Sequence, residues 1–302
     1  MNDWWTPILE RDGLLLRDRA LVEVDPDQLL VALRCGRLRR IQRSIYAPRS
    51  IELTPLAIAR AAIVSSGVPQ AVASHGTAAR AHGLTVVRPS RVEHVTVPLE
   101  KRRKRRPDLE FHTRSIQVGD VVVLDGVPVT SIGRTVTDLA CQLDRFSAVW
   151  MIDDAIRTGV CRRAELDAIA SSWRGGLGSG VVKHRIDEAD GRSESILETA
   201  ARLTLADAGV PLPSAQFEVT DQWGQFVARL DGGYPDDRVA LEFDGRSVHD
   251  APAAAHRDRE RQNRLAALGW TVLRLTWWDV IEDPRGFVSS VRAALTTGRC
   301  GV

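Results

Sequence analysis

The chain is poor in lysine. Of its 302 residues 41 are basic, yet only Lys101, Lys104 and Lys183 are lysines. A biased genome composition is the simplest explanation. The scarcity still has a chemical consequence, because any site beyond position 183 that requires a basic group must use arginine or histidine.

Cysteine pairs and long apolar runs are lacking as well. The four cysteines are far apart and form no CxxC pair, which excludes a zinc motif of the usual spacing and favours a reducing compartment. No run of about 18 apolar residues occurs, so the sequence predicts no membrane-spanning helix. The first residues carry an acid at Asp3 and no apolar stretch, so we expect no secretory signal. These absences predict a cytoplasmic protein without a membrane partner.

The rest of the composition is that of a globular protein with unevenly placed charge. The chain is 44% hydrophobic and 26% charged, and its length predicts two or three compact units of about 100–150 residues each. The net charge is only +2, but bases dominate residues 36–50 and 101–106, whereas residues 190–302 hold 13 arginines against 17 acids. We therefore expect the front half to bind a polyanion and the back half to hold carboxylates for a cation.

The first 50 residues predict small helices followed by a basic two-stranded ribbon. Leu29, Leu30 and Leu33 supply an apolar helix face, and the ribbon reads GRLRRIQRSIYAP. This segment resembles the winged helix-turn-helix of AbiEi-type antitoxins, which usually have glycine where this chain has Ser44. The resemblance implies a helix in the major groove of DNA beside a wing that contacts phosphates; a winged helix used only for protein contacts is the alternative. The bases of the wing are Arg37, Arg39, Arg40 and Arg43.

Six consecutive bases, KRRKRR, lie between strand-like runs at residues 92–97 and 109–112. They predict either a solvated, mobile loop or a contact to nucleic-acid phosphates, and one loop can be both. If they contact phosphates, replacing them by neutral residues should reduce the salt dependence of binding. The residues are Lys101, Arg102, Arg103, Lys104, Arg105 and Arg106.

Residues 51–185 alternate between helix-like and strand-like runs and predict an α/β domain. The stretches SHGTAARAHGL and DGVPVTSIGRTVTDLA resemble the middle region of the same AbiEi-type family. His75 and His82 lie seven residues apart on one helix face without a nearby acid, so we expect them to be structural or to contact phosphate. The glycine-rich segment at 173–180 predicts a linker. The predicted domains are 1–50, 51–185 and 186–302.

From position 193 onwards the sequence predicts the order helix, three strands, helix, strand and helix. If a hairpin turn is centred on Asp236-Asp237, Asp231 lies opposite Glu242 on one face of the sheet, and Asp244 shares that face. Opposed like charges are destabilising and no lysine is available, so a divalent cation, Mg²⁺ or Mn²⁺, is the simplest counter-charge. Frayed, solvated strand ends or a glycine bulge in the register are the alternatives.

The stretches SESILETAARL, FVARLDGGYPDDRVALEFDGRSVH and RDRERQNRLAALGWTVLRLTWWDV resemble PD-(D/E)xK nucleases, and most of all a group related to very-short-patch-repair endonucleases. The resemblance implies that Glu198, Asp231 and Glu242 bind the metal ion. The family usually has lysine two residues after the third acid, where this chain has Asp244. The repair-endonuclease branch carries histidine in this region, so His249 becomes the candidate proton acceptor or holder of the attacking water.

Several of these residues also have a plainer interpretation. Glu198 forms a capping box with Ser195, and Glu194 is a substitute ligand one turn earlier. His249 could be a passive partner of the carboxylates. Three arginines on the following helix recur at spacings of four and three and predict a face that meets phosphate. They are Arg257, Arg261 and Arg264.

The predicted fold class is therefore multi-domain α/β, with a winged helix, a middle α/β domain and an αβββαβ restriction-endonuclease-like core. The resemblance implies metal-assisted hydrolysis of phosphodiester bonds in DNA, with RNA as an open alternative. The competing hypothesis is an antitoxin or transcriptional regulator, with a toxin or operon neighbour as partner, that keeps the nuclease fold without its activity. The catalytic hypothesis requires that the carboxylates converge on one pocket neutralised by a cation. An arginine in the cation's place would leave a polyanion-binding scaffold.

Overall fold

The computed structural model describes residues 3–86, 90, 92–173, 178–244 and 252–299, except for the side chains at 252–255, 257, 298 and 299. The described residues form a mixed α/β structure with three sheets, which confirms the predicted fold class. The chain divides into two compact units, Met1–Leu143 with Val160–Lys183, and Asp144–Gly159 with His184–Val302. Residues 174–177 of the predicted linker lie outside the described residues, and the domain boundaries stay predictions.

The first unit begins with the element order of a winged helix. A short 3₁₀ helix at Thr6–Ile8 precedes a strand, two helices and a two-stranded wing, and the three strands form an antiparallel sheet in the order β1-β3-β2. The elements are β1 (Leu15–Leu16), α1 (Arg17–Glu23), α2 (Pro26–Arg34), β2 (Leu38–Gln42) and β3 (Ile45–Pro48).

Helix α2 is fixed by a side-chain cap and by a small core. The carboxylate of Asp25 accepts hydrogen bonds from two N–H groups of the first turn, at 2.9 and 3.0 Å. Leu29 packs inward with Leu38 and Tyr46. Leu30 was predicted on the same apolar face, but it is 41% exposed because the helix turns it towards solvent.

Ser44 sits in the turn of the wing with a φ angle of +62°. Side chains rarely adopt this left-handed conformation, whereas glycine adopts it freely, which explains why the resembled family uses glycine here. We expect Ser44→Gly to raise the free energy of unfolding by about 0.5–1 kcal/mol, because relief of strain outweighs the added freedom of the unfolded chain. Urea unfolding of both proteins measures the difference, and a destabilised variant would contradict this explanation.

The rest of the first unit is a five-stranded sheet in the order β6-β5-β4-β8-β7 with helices packed on it. The hairpin predicted at Asp125-Gly126 is confirmed, and both turn residues have positive φ angles of 45° and 80°. The elements are α3 (Pro55–Ser66), β4 (Val72–Ala73), α4 (His75–Ala81), β5 (Glu93–Val97), a 3₁₀ helix (Leu99–Lys101), β6 (Leu109–Thr113), β7 (Val121–Leu124), β8 (Val127–Thr130), α5 (Ile132–Gln142) and, after α6 of the second unit (Arg145–Arg157), α7 (Arg163–Ser172).

Arg134 on α5 is the largest fully buried side chain of the described residues. Its guanidinium donates to Asp138 at 3.0 Å and to Asp120 at 2.6 Å, and also to the carbonyl of Ser115 at 3.2 Å. Burial raises the pKa of Asp138 to about 6, although the charge of Arg134 opposes that rise. A charged network in the middle of the unit therefore depends on one arginine.

The second unit contains the predicted core of one helix, three strands, a helix, a strand and a last helix. The sheet order is β12-β11-β10-β9, with β11 and β12 parallel and the other pairs antiparallel. α9 and α11 pack around Leu241, and α10 packs its Leu265 against Leu230. The elements are α8 (Ser179–Glu188, which begins in the first unit), α9 (Ile196–Asp207), β9 (Ser214–Thr220), β10 (Phe226–Tyr234), β11 (Val239–Asp244), α10 (Pro252–Ala267), β12 (Thr271–Thr276) and α11 (Pro284–Arg299).

Candidate carboxylate site and nucleic-acid interface

The carboxylate site is assembled from α9, β10 and β11. Gly232 pairs with Leu241 and Tyr234 with Val239, which is the register predicted from the turn at Asp236-Asp237. One step further the ladder ends. There the carboxylate of Asp231 accepts the N–H of Phe243 at 2.8 Å, so the side chain takes the place of a backbone partner. This contact fixes Asp231 at the end of the hairpin.

Burial raises the pKa values of all three predicted ligands, and the charge of a neighbouring carboxylate adds to each rise. Burial is the main cause for Glu198, Asp231 and Glu242. The negative charge of Asp231 adds to the rise for both Glu198 and Glu242. Asp231 therefore lies within electrostatic reach of both Glu198 and Glu242.

Glu242 is neutralised by an arginine. Its two oxygens accept from the guanidinium of Arg261 at 2.7 and 2.8 Å, and Arg261 also donates to Asp258 at 2.9 Å. Arg261 of α10 therefore supplies the counter-charge at Glu242 that a divalent cation was expected to supply, and a metal-binding role for Glu242 stays a prediction. The same pairing engages the Arg261 guanidinium that we expected to contact phosphate.

Asp244, which stands where the resembled family has lysine, is paired with Arg274 of β12. The guanidinium Nε lies 3.3 Å from Asp244, and Nη1 lies 3.3 Å from Asp258. Asp244 therefore belongs to a chain of alternating charges that runs through Arg274 and Asp258 to Arg261. It is not one of the residues that line the cavity described below.

Glu198 has both a structural role and a place in the site. Its carboxylate accepts from the N–H of Glu194 and from the Gln216 amide, both at 2.9 Å, while its own N–H donates to Ser195 Oγ at 3.2 Å. Ser195 therefore caps α9, and the Glu198 carboxylate reaches back one residue beyond the N-cap, to Glu194, in place of the N–H of Ser195 that a capping box uses. The substitute ligand Glu194 instead pairs with the exposed Arg229 at 3.0 Å.

Glu198 and Asp231 line a cavity of about 20 Å³ together with Arg202 and Phe243. A cavity of that size holds one water molecule or a small ion. Arg202 is engaged by Asp153 at 2.9 Å and Asp190 at 3.3 Å. In the described part of the chain, neither Glu198 nor Asp231 forms an ion pair with a basic side chain.

The donor set fits a hard divalent cation only in part. Carboxylate oxygens are the ligands that Mg²⁺ and Mn²⁺ prefer, and Glu198 and Asp231 supply them next to a cavity of suitable size. Glu242 could join them only if Arg261 moved away. Accordingly, no group of three or more His, Cys, Asp or Glu side chains within the described ranges is arranged to hold a metal ion.

Two predicted residues of this site fall where the structure gives no side chain. His249 lies outside the described residues, and the side chain of Arg257 is likewise not described. Arg264 is described, and its guanidinium donates to the carbonyl of Phe226 at 3.3 Å. The proton-acceptor role of His249 stays a prediction.

Some of the bases predicted to bind nucleic acid are bonded to other groups of the protein, and others have no acidic partner among the described residues. Arg37 pairs with Asp3, and Arg39 donates to the carbonyl of Ile51 at 2.8 Å. Arg106 donates to the carbonyl and the hydroxyl of Ser65, at 2.9 and 2.7 Å.

The remaining predicted bases are held less closely or have no acidic partner. Arg40 and Arg105 make longer ion pairs, with Asp108 at 3.9 Å and Glu110 at 3.7 Å. The exposed bases without an acidic partner among the described residues are Arg43, Lys101, Arg102, Arg103 and Lys104.

The structure brings together a histidine cluster that the sequence pattern did not indicate. The rings of His75 and His112 stack at 3.6 Å between centroids, and Nδ1 of His94 lies 2.9 Å from Nε2 of His112. These residues come from α4, β5 and β6, so their spacing in sequence carries no signal. His82, which was considered with His75, lies elsewhere, with Nε2 2.7 Å from the carbonyl oxygen of Thr130.

Acidification is expected to destabilise the first unit through this cluster. Burial, with the charges of His94 and Arg114, lowers the pKa of His112 to about 3, and burial lowers the pKa values of His75 and His94 as well. Unfolded histidine titrates near pH 6.5, so below that pH the unfolded state binds more protons and stability falls. At pH 5 each histidine that stays neutral in the folded state should lower the free energy of unfolding by about 2 kcal/mol relative to pH 7.

Urea unfolding at pH 7 and pH 5 measures this loss. The control is His112→Phe, which keeps an aromatic ring against His75 and removes one titrating group. Its loss of stability between the two pH values should be smaller than that of the wild type. Equal losses in the two proteins would show that His112 does not contribute.

Two stretches of the chain match family models. Residues 68–176 match the AbiEi antitoxin C-terminal domain, and residues 210–295 match the restriction-endonuclease-like family REase_MTES_1575. The chain joins an AbiEi-like domain to a restriction-endonuclease-like domain. This confirms the fusion that the sequence resembles.

Relatives of similar length occur in Mycobacterium tuberculosis. The uncharacterised proteins Rv2248 (strain H37Rv) and MT2308 (strain CDC 1551) are each 29% identical over 272 residues, which cover 90% of this chain and 97% of the relative. The crystal structure of the Rv2827c protein from the same organism covers 73% of this chain and 89% of its own, at 15% identity and a TM-score of 0.42. That similarity is too low to assign a common fold.

The helices are short or polar compared with membrane spans. Among the described residues, no helix combines the length and the apolar character that crossing a bilayer requires.

Proposed function

We propose that the chain is a nucleic-acid-binding protein whose restriction-endonuclease-like domain hydrolyses phosphodiester bonds with a divalent metal ion, Mg²⁺ or Mn²⁺. The observation that carries the proposal is the pair Glu198 and Asp231. Both carboxylates face one ion-sized cavity, both have raised pKa values, and neither forms an ion pair with a basic side chain of the described residues. A fold that only bound polyanions would have no need to keep two repelling carboxylates at this position.

Glu198 and Asp231 would hold the ion, and Glu242 would join them once Arg261 releases it. Bound there, the ion would supply charge neutralisation at the phosphate and a water of lowered pKa. The chain's own residues set the geometry. Phe243 N–H orients Asp231, and the Gln216 amide with the N–H of Glu194, just before α9, orients Glu198. His249 is the proposed proton acceptor.

DNA is the proposed substrate, and the same chemistry would act on RNA. The proposal includes a cytoplasmic location, which agrees with the thiols of Cys35 and Cys161, neither of which is in a disulfide. The likeness to very-short-patch-repair endonucleases supports a nuclease that acts on duplex DNA.

A second candidate function is favoured by the Glu242–Arg261 pair. With one ligand neutralised and with Asp244 where the resembled family has lysine, the domain could be an inactive nuclease fold. The chain would then be an antitoxin or transcriptional regulator with a toxin or operon neighbour as its partner.

Incubating the full chain with plasmid DNA, mismatched duplex and RNA in the presence of Mg²⁺ or Mn²⁺ separates the two candidates. Metal-dependent cleavage that EDTA abolishes is the expected result. Specific DNA binding without cleavage of any of the three substrates would establish the regulator in its place.

A further inference from the structure

We propose that the wing (residues 38–48) and the basic loop (residues 101–106) form one phosphate-binding surface, and that helix α2 does not dock in a groove. The inference rests on nucleic-acid binding as part of the proposed function. It deepens that function by naming the surface that binds. It also excludes from the interface helix α2, which corresponds to the helix that a winged helix normally inserts into a DNA groove.

Asp108, two residues after the basic loop, joins the loop to the wing. The amide of Gln42, at the end of β2, donates to the carbonyl of Asp108 at 3.0 Å, and Gln42 is buried. The Asp108 carboxylate lies between Arg40 of the wing, at 3.9 Å, and Arg106 of the loop, at 3.4 Å. Arg43 is the residue after Gln42, so the tip of the wing is held beside the base of the loop.

The joined surface is strongly cationic. Arg40, Arg43 and residues 100–110 together hold eight bases against three acids. Asp108 and Glu110 pair with Arg40, Arg105 and Arg106. The free bases are Arg43 and the four residues from Lys101 to Lys104. No acidic side chain of the described residues pairs with them, so their charge is available to a partner.

The exposed side chains of helix α2 are unsuited to a groove of a nucleic-acid duplex. In a winged helix, the first residues of the recognition helix approach the base edges and the flanking phosphates. Here those residues are Asp25 and the exposed Asp27, whose carboxylates would repel phosphate. Further along, Leu30 and Val31 are 41% and 56% exposed, and Arg34 is the only base of the helix.

The partner that fits is the sugar–phosphate backbone of a nucleic-acid duplex. A duplex presents closely spaced negative charges, which match several free bases on one surface without reading sequence. DNA and RNA duplexes share this chemistry, so both are used as probes. Binding through this surface alone should depend steeply on salt and weakly on sequence.

The test measures binding of the full chain to fluorescently labelled DNA and RNA duplexes in EDTA, which prevents cleavage, from about 50 to about 200 mM salt. One variant replaces Lys101, Arg102, Arg103 and Lys104 by glutamine, and a second adds Arg43→Gln. The matched control is Arg34→Gln on α2. All six positions are exposed, and none of them forms an ion pair among the described residues, so thermal unfolding is expected to confirm that the variants fold.

The loop variant should bind at least about tenfold more weakly, with a salt slope reduced by roughly 0.9 for each lost phosphate contact. Arg43→Gln should weaken binding further, and Arg34→Gln should stay within about twofold of the wild type. If Arg34→Gln weakens binding more than the loop variant does, the helix docks and this inference is wrong. If the wild type binds neither duplex, nucleic-acid binding fails as part of the proposed function.

Discussion

Asp231→Asn is expected to reduce metal-dependent cleavage about 10³-fold. A bound ion that neutralises phosphate charge contributes several kcal/mol, and each 1.4 kcal/mol corresponds to about a factor of ten in rate. Asparagine has nearly the same shape and can still accept the N–H of Phe243, so the hairpin end is preserved. The change therefore removes the charge and leaves the fold.

The stability of the variant distinguishes a metal-binding role of Asp231 from a merely structural one. Burial raises the pKa of Asp231, so the ionised carboxylate is unfavourable in the folded state. Asp231→Asn should therefore unfold at the same temperature as the wild type or at a higher one, while it loses activity and Mn²⁺ binding measured by calorimetry.

The control for charge alone is Asp236→Asn, which removes one carboxylate from the exposed turn between β10 and β11. It should cleave at the wild-type rate. If Asp231→Asn cleaves as fast as this control, Asp231 is not part of a metal site and the proposed nuclease activity lies elsewhere or is absent.

Arg134→Ala is expected to lower the free energy of unfolding by about 3–5 kcal/mol. Removing one partner of a buried ion pair leaves the other charge without compensation. Here the loss would strand Asp138, which is fully buried, and Asp120, which is nearly so. Burial already raises the pKa of Asp138 even with Arg134 present, so the loss of stability relative to the wild type should be largest near neutral pH, where the carboxylate is ionised.

The double variant Arg134→Met, Asp138→Leu tests this mechanism. Replacing both charges by apolar side chains removes the stranded carboxylate of Asp138, so the double variant should recover much of the loss. Urea unfolding of the three proteins measures the differences. A loss below about 1 kcal/mol in Arg134→Ala would show that water or a rearranged side chain compensates Asp138 and Asp120.

The sequence alone predicted the order of the elements and one strand register of the second unit. A turn centred on Asp236-Asp237 predicted the β10–β11 register, because hairpin register follows from the position of the turn. The order of helices and strands followed from their periodicity in the same way. The family matches over 68–176 and 210–295 confirm the fusion that the motifs indicated.

The same local patterns did not predict contacts between elements that are distant in the sequence. The spacing of Arg257, Arg261 and Arg264 predicted a helix face but not the direction in which that face points. The sequence therefore suggested phosphate for Arg261, whereas the structure gives it Glu242. The histidine cluster was missed for the same reason, since His75, His94 and His112 lie on three elements.

The sequence by itself determined the fold class, the order of the elements and the candidate carboxylates Glu198, Asp231 and Glu242. Only the tertiary structure decided which of these carboxylates share a cavity and which one is already neutralised. Periodicity and turn chemistry act over a few residues and can be read from the chain. The partner of a charged side chain depends on how whole helices and sheets pack, and here α10 packing places an arginine on one ligand and leaves two facing an ion-sized space.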